Sequence, residues 1–347
     1  MMTEDRDIFY MNRAMELALN GRGKVSPNPM VGCVIIHKDQ IIGEGYHERY
    51  GEAHAEVNAI NAVKNKNLLP ESTLYVNLEP CSHFGKTPPC ADFIIRHQIK
   101  RVVVANLDNN PLVAGKGIQK LKNAGIEVRV GVMEKEGKNL NKRFFTFMNR
   151  MRPYMILKWA ETADSYIAKE NHDSKWISNS LARRLVHKWR SEEDAVMVGT
   201  NTGLYDNPQL NVRDWTGRNP VRIIIDKNLR LPPNLALFDR QQPTICYNLI
   251  KDDISPNLEY IKIKEGNFIA QVLENLYANR IQSVLVEGGS TLINSLLEND
   301  CWDEIRQFRS YQCFGKGIKA PQVKGILFDK EVIQDNDLFI YRREDSL

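Results

Sequence analysis

A helical pattern that begins at Glu134 runs into Pro153, and this stop constrains the chain more than any other feature of its sequence. Proline lacks the N–H that a helix interior needs, and it pushes the residue before it out of the helical region. On both sides of the stop, short apolar runs alternate with amphipathic stretches. A chain of 347 residues also exceeds what one hydrophobic core usually organises. The break therefore predicts two domains, residues 1–150 and 151–347, each with the strand–helix alternation of an α/β layered sheet.

In the first domain the pattern predicts a helix over 7–19 and a turn at Ser26-Pro27-Asn28-Pro29. A strand pair follows over 31–36 and 41–46, joined by a short polar loop. Helices are expected over 53–63, 91–97 and 117–124, with strands over 73–78, 101–105 and 127–130. In the second domain, strands are expected over 154–160, 195–198, 221–226, 244–247 and 283–286. Helices over 181–190, 268–279 and 291–298 separate several of them. Of the six cysteines, Cys33, Cys246, Cys301 and Cys313 lie in or beside apolar segments and are expected to be core residues.

Chemistry enters with His54-Ala55-Glu56 at a helix start, Pro80-Cys81 at a strand end and Cys90 before a helix. One imidazole and two thiolates suit a borderline-soft divalent ion. Three protein ligands on zinc leave the fourth tetrahedral position for water. Residues two apart in a helix interior face different ways, so His54 and Glu56 share a site only if His54 stands where the backbone turns into the helix. Glu56 can then move protons between water and a leaving amine. A structural zinc site would instead be closed by a fourth ligand, for which His83 is the nearby candidate.

This set resembles the zinc nucleobase and nucleoside deaminases, with their H-x-E…P-C-x-x-C signature. Eight residues separate Cys81 from Cys90 here, and the insert Ser82-His83-Phe84-Gly85-Lys86-Thr87-Pro88-Pro89 is similar to one subfamily, the bifunctional riboflavin-biosynthesis deaminase/reductases. Pro27-Asn28-Pro29-Met30-Val31-Gly32, Gly43-Glu44-Gly45-Tyr46-His47 and Asp108-Asn109-Asn110-Pro111 match it too. The resemblance implies a cytidine-deaminase-like α/β/α domain followed by a dihydrofolate-reductase-like α/β domain. It implies one Zn2+ per chain on His54, Cys81 and Cys90, and catalysis by Glu56. Asn28, His47, Asp108 and Asn110 would contact a pyrimidine ribose-phosphate. By their own chemistry, apart from the resemblance, His83, Lys86 and Thr87 could bind phosphate.

No G-x-G-x-x-G follows a strand in the second domain, so a Rossmann site is not indicated. Glu287-Gly288-Gly289-Ser290 instead ends a strand and opens a helix, where backbone N–H groups can cradle phosphate. The order of Lys158, Trp176, Arg190, Thr202, Asp206, Leu210 and Arg213 resembles the reductase half of the same family. The resemblance implies NADPH contacts from Ala160, Trp176, Thr202, Asp206, Lys227, Gly288 and Gly289. It implies substrate contacts from Ser174, Arg190, Leu210, Arg213 and Glu287, with the two arginines suited to phosphate. Thr162-Ala163-Asp164-Ser165 replaces the family's Ser-Leu-Asp-Gly, and Ser165 lacks glycine's access to positive φ.

Charge and apolarity bear on what else the chain meets. Residues 1–150 carry 21 Lys and Arg against 16 Asp and Glu, whereas the rest carries 26 against 27. No dense basic tract interleaved with aromatics occurs, so nucleic acid is not an expected partner. The start is polar and acidic and no apolar run reaches the roughly 18 residues of a membrane span, which predicts a cytoplasmic protein without membrane contact. Family analogy allows a homodimer or homotetramer. An alternative is an RNA-base-editing zinc deaminase with a C-terminal binding domain; another is a zinc-stabilised scaffold, which Glu56 disfavours.

Overall fold

The computed structural model describes residues 3–82, 88–109, 114–174 and 177–344. It divides between Arg150 and Met151 into two compact units. The first unit contains α1 (Thr3–Leu19), β1 (Gly32–His37), β2 (Gln40–Tyr46), α2 (Ala55–Ala62), β3 (Thr73–Leu78), α3 (Cys90–Arg96), β4 (Arg101–Asn106), α4 (Lys116–Asn123), β5 (Glu127–Val130), α5 (Glu134–Leu140) and α6 (Lys142–Arg150). Among the described residues its strands pair in the order β2-β1-β3-β4-β5. The first three are antiparallel neighbours and the last three parallel.

Strand alternation makes this unit three-layered. Successive side chains of a strand point to opposite faces. Cys33, Ile35, Leu74, Val76, Val102 and Val104 meet Ala59, Ile60, Ile94 and Leu121 from α2, α3 and α4 on one face. Val34, Ile36, Tyr75 and Val103 meet Tyr10, Met11, Ala14 and Met15 of α1 on the other. Both faces are covered, which is why these strands read as continuous apolar runs. The α2 helix rides directly on β2, because a Cβ on Gly45 would stand 2.4 Å from the Ala59 nitrogen.

The helical pattern after Glu134 is two helices rather than one. Asn141 interrupts it with non-helical torsions, and its amide accepts from Met30 N at 2.8 Å and donates to Met30 O at 2.9 Å. A buried side chain that satisfies two backbone groups elsewhere overrides local helical preference. The cysteine expectation also needs correction. Cys33 and Cys246 are buried, but Cys301 is only half-buried and Cys313 is exposed. Cys313 lies in the irregular stretch beyond Ser310, where Tyr311 is exposed as well.

The second unit carries β6 (Tyr154–Glu161), β7 (Tyr166–Ala168), α7 (Ser180–Glu192), β8 (Ala195–Gly199), α8 (Thr200–Asp206), β9 (Val221–Ile225), β10 (Thr244–Asn248), β11 (Asp253–Ser255), β12 (Leu258–Lys262), α9 (Phe268–Ala278), β13 (Ser283–Val286), α10 (Ser290–Glu298), β14 (Glu304–Ser310), β15 (Ile318–Lys319), β16 (Ile326–Ile333) and β17 (Asn336–Arg342). Among the described residues, the large sheet runs β11-β12-β10-β9-β8-β13-β6-β14-β17-β16, and β7 pairs separately with β15. From β12 to β14 neighbours are parallel, so their C-terminal ends share one edge, where α/β sheets bind ligands.

One ion cluster ties the first helix to its sheet. Asp7 is fully buried and accepts from Arg101 Nη1 and Nη2, Arg129 Nη1 and the Tyr75 hydroxyl, all at 2.8–2.9 Å. Burial alone would raise its carboxyl pKa, but the Arg101 and Tyr75 hydrogen bonds, with Arg129, hold it below the ordinary value. The stabilisation is therefore complete above the unfolded carboxyl's pKa and is lost as pH falls through the folded one. Asp7→Asn should lower the unfolding free energy of this unit by about 3–5 kcal/mol at pH 7. Denaturant titrations should show the gap to wild type narrowing towards pH 3; an equal gap at both pH values would contradict the assignment.

Candidate active site

His54 is the N-cap of α2, with extended torsions of φ −76° and ψ 164°, so its ring leaves the chain before the helical direction is set. Glu56 follows in the first turn and is 3% exposed. Cys81 lies just beyond β3, and Cys90 is the first residue of α3. The N–H groups of Cys90 and Ala91 donate to Cys81 Sγ and Cys81 O, at 3.3 and 3.1 Å. The loop and the helix are thereby drawn together.

Three ligand atoms converge from these elements: His54 Nδ1, Cys81 Sγ and Cys90 Sγ all lie within 4.8 Å of one another. The imidazole nitrogen is 3.6 Å from Cys81 Sγ and 3.3 Å from Cys90 Sγ. Tetrahedral zinc with Zn–S near 2.3 Å and Zn–N near 2.0 Å requires an S···N edge of about 3.5 Å. The donor set fits that ion. The Cys90 thiol and His54 hydrogen-bond to Cys81 and hold its thiol well below the usual range, and the Cys81 contact raises His54. Burial pushes the Glu56 carboxyl up to about 7.

Asn28 and His47 sit beside this cluster, the His47 and His54 rings meeting edge-on with centroids 5.3 Å apart. His47 Nδ1 faces the Ala53 carbonyl at 3.1 Å and so carries the proton. Nε2 then accepts from Asn28 Nδ2 at 3.1 Å. Burial lowers the His47 pKa, which keeps the ring neutral and this tautomer in place. Asp108 follows β4, and its N–H donates to Glu79 Oε2. Asn110, His83, Lys86 and Thr87 lie outside the described residues.

In the second unit a cavity of about 1040 Å³ lies at the shared edge of β6, β8, β9 and β13. Ala160, Ser174, Arg190, Thr202, Asp206, Leu210, Arg213, Lys227, Glu287, Gly288 and Gly289 line it. Trp176 lies outside the described residues. Two expectations change in detail. The Arg190 fork is filled, by Glu287 at 2.6 and 2.9 Å and by the Asn211 carbonyl, which leaves Arg213 as the better phosphate candidate. Gly289 N–H donates to Thr202 Oγ1 at 2.8 Å, so that N–H is already engaged within the protein.

The turn at Thr162-Ala163-Asp164-Ser165 reaches positive φ without glycine. Ser165 adopts φ 65°, the Thr162 hydroxyl donates to Asp164, and the Asp164 carboxylate accepts from Phe314 N and Gly315 N. Sequence reasoning missed three polar groups. Glu79 takes four backbone N–H groups. His187 lines the cavity and accepts from Arg213 N. Asp226 binds Thr200 Oγ1 and Leu231 N. Each has a partner 26 or more residues away, which no local pattern reveals.

Comparison with known proteins agrees with this division. Residues 4–106 match the cytidine and deoxycytidylate deaminase zinc-binding region, and residues 153–331 match the RibD C-terminal domain. The chain is 42% identical to riboflavin biosynthesis protein RibD of Aquifex aeolicus, over 91% of this chain and 90% of that one. With the Bacillus amyloliquefaciens RibD it shares 43% identity, over 91% and 87%. A crystal structure of a diaminohydroxyphosphoribosylaminopyrimidine deaminase/5-amino-6-(5-phosphoribosylamino)uracil reductase from Thermotoga maritima superposes with a TM-score of 0.90. It is 39% identical, covering 98% of this chain and 99% of that one.

Fold and site together define a two-activity enzyme, a zinc-type deaminase followed by a nicotinamide-dependent reductase. The chain belongs to the RibD family of riboflavin biosynthesis proteins. An RNA-editing deaminase with a binding platform is not favoured, because the second unit matches the reductase. Purified protein should carry about one zinc per chain, and Cys90→Ala should carry almost none. Metal analysis that finds no zinc in unchelated wild type would contradict the donor set.

Proposed function

We propose that the first unit hydrolyses the ring amine of 2,5-diamino-6-ribosylamino-4(3H)-pyrimidinone 5′-phosphate and releases ammonia. The second unit then reduces the ribosyl group of the product to ribityl with NADPH. The convergence of His54, Cys81 and Cys90 beside a buried Glu56 carries the first half of this reading. His54, Cys81 and Cys90 would hold Zn2+, which would supply Lewis-acid activation of water at this site. Glu56 takes a proton from that water and returns protons to the ring nitrogen and the leaving amine. The Asn28–His47 pair reads the pyrimidine edge, because a fixed His47 tautomer fixes which end of the Asn28 amide is presented. Asp108, with Asn110, meets the ribose phosphate.

In the second unit Thr202, Asp206, Lys227, Ala160 and the Gly288-Gly289 turn hold the cofactor, with Trp176. Once bound, the nicotinamide supplies the reducing chemistry. Asp226 at the end of β9 is engaged by Thr200 and Leu231, and basic Lys227 and Arg230 line the cavity beyond it. That arrangement favours the extra phosphate of NADPH over a bare ribose hydroxyl. Arg213 anchors the substrate phosphate, while Arg190 and Glu287, braced against each other, meet the substrate with Ser174 and Leu210. This reading needs only small-molecule partners and suits a cytoplasmic homo-oligomer; among the described residues no helix is long and apolar enough to cross a membrane.

The two half-reactions should separate by mutation. Glu56→Gln keeps the shape but removes the proton carrier, so ammonia release should fall at least roughly 100-fold. NADPH oxidation with deaminated substrate should persist. Arg213→Ala should do the converse, weakening use of the deaminated substrate roughly 10- to 150-fold through loss of one charged pair. Measuring both activities on each folded variant decides the matter, since parallel loss in either variant would refute two independent sites.

A further inference from the structure

Glu79 lies two residues before Cys81, and neither the metal set nor the proton-transfer chemistry uses it. Its side chain is 4% exposed. One carboxylate oxygen accepts from Asp108 N at 3.2 Å and Gly115 N at 3.0 Å; the other accepts from Gly117 N at 2.9 Å and Ile118 N at 3.2 Å. Its own N–H donates to the Asn106 carbonyl, extending the β3–β4 pairing by one residue. A buried carboxylate with four backbone donors is an internal acceptor that satisfies N–H groups without strand partners.

These four donors have a common meaning. Asp108 leaves β4 and Gly115 is the left-handed N-cap of α4, so a single oxygen joins the two ends of the segment between them. The other oxygen takes N–H groups from the first turn of α4, where the helix dipole favours an anion. The helix is pressed close as well, because a Cβ on Gly117 would stand 2.0 Å from the Pro80 carbonyl, immediately before Cys81. One side chain therefore ties the Asp108 end of the substrate-side loop to the strand that delivers Cys81.

We propose that Glu79 is a positioning residue for the deaminase, one that holds Asp108 and the start of α4 in register with the metal-binding loop and so sets affinity for the pyrimidine ribose-phosphate. This rests on the reading of Asp108 given above. Cys81 and Cys90 are held to each other by bonds that do not involve Glu79. Loss of the clamp should therefore weaken substrate binding and spare the metal.

Glu79→Gln preserves size but turns a donor towards donors. It should raise KM for the pyrimidine substrate roughly 10- to 100-fold, the scale of losing a charge-assisted bond, with kcat within about threefold and zinc near one per chain. Glu79→Asp keeps the anion with a shorter reach and should give an intermediate KM; it also serves if the Gln variant does not fold. Unchanged KM in both variants, or kcat and zinc falling together, would overturn the proposal. Amide hydrogen exchange makes the test independent of the substrate assignment. Protection at Asp108, Gly115, Gly117 and Ile118 should drop in the variants while that at Cys90 and Ala91 holds, and unchanged protection at the four amides would overturn it. This loss of protection in the variants, with no ammonia released from the pyrimidine by wild type, would refute the assigned substrate and leave the clamp standing.

Discussion

His54 caps α2 with extended backbone torsions, and the first active site depends on that one departure from helical geometry. In a helix interior, an imidazole and a carboxylate two residues apart would face different sides. With His54 outside the helix and Glu56 inside its first turn, both reach the sulfurs delivered by β3 and α3. The close seating of α2 on β2, which needs the absent side chain of Gly45, fixes where that cap stands. The α/β/α layering thus brings three element ends, rather than three helix faces, to one point.

The second unit organises its site by committing charges to one another. Lys158, Arg190 and Glu287 form a largely buried set, with Arg190 bonded to both Glu287 oxygens and Lys158 Nζ 3.9 Å from one of them. Burial would raise the Glu287 carboxyl pKa, but Arg190, followed by Lys158, keeps it lowered. Burial also lowers the Lys158 pKa. A pair so braced has little freedom to rotate towards a ligand, so it sets the shape and field of the cavity floor, while the exposed Arg213 remains at the rim.

Much of this was legible from the sequence where the governing interactions are local. The apolar runs of β1, β3, β4, β6 and β13 announce strands covered on both faces, and proline and glycine punctuation marks their limits. The donor set could be read because His54, Cys81 and Cys90 each lie at a predicted element end. Elements stabilised by distant partners could not. The strand β14 reads Glu-Ile-Arg-Gln-Phe-Arg-Ser, and its buried charges have partners far along the chain: Tyr154 and Arg342 meet Glu304, and Glu193 meets Arg306. Most of β16 is exposed and offers no apolar alternation against a core. Glu79 acts on amides 29 to 39 residues away, and the Arg190–Glu287 pair spans 97 residues. No spacing rule could have found either.

The central claim is that one imidazole and two thiolates share one metal ion and leave a position open for water. X-ray absorption spectroscopy at the zinc edge reads that inner shell directly. The account predicts two sulfurs at about 2.3 Å and two lighter atoms at about 2.0 Å, one of them imidazole nitrogen. A shell of three or four sulfurs, or one with none, would contradict it.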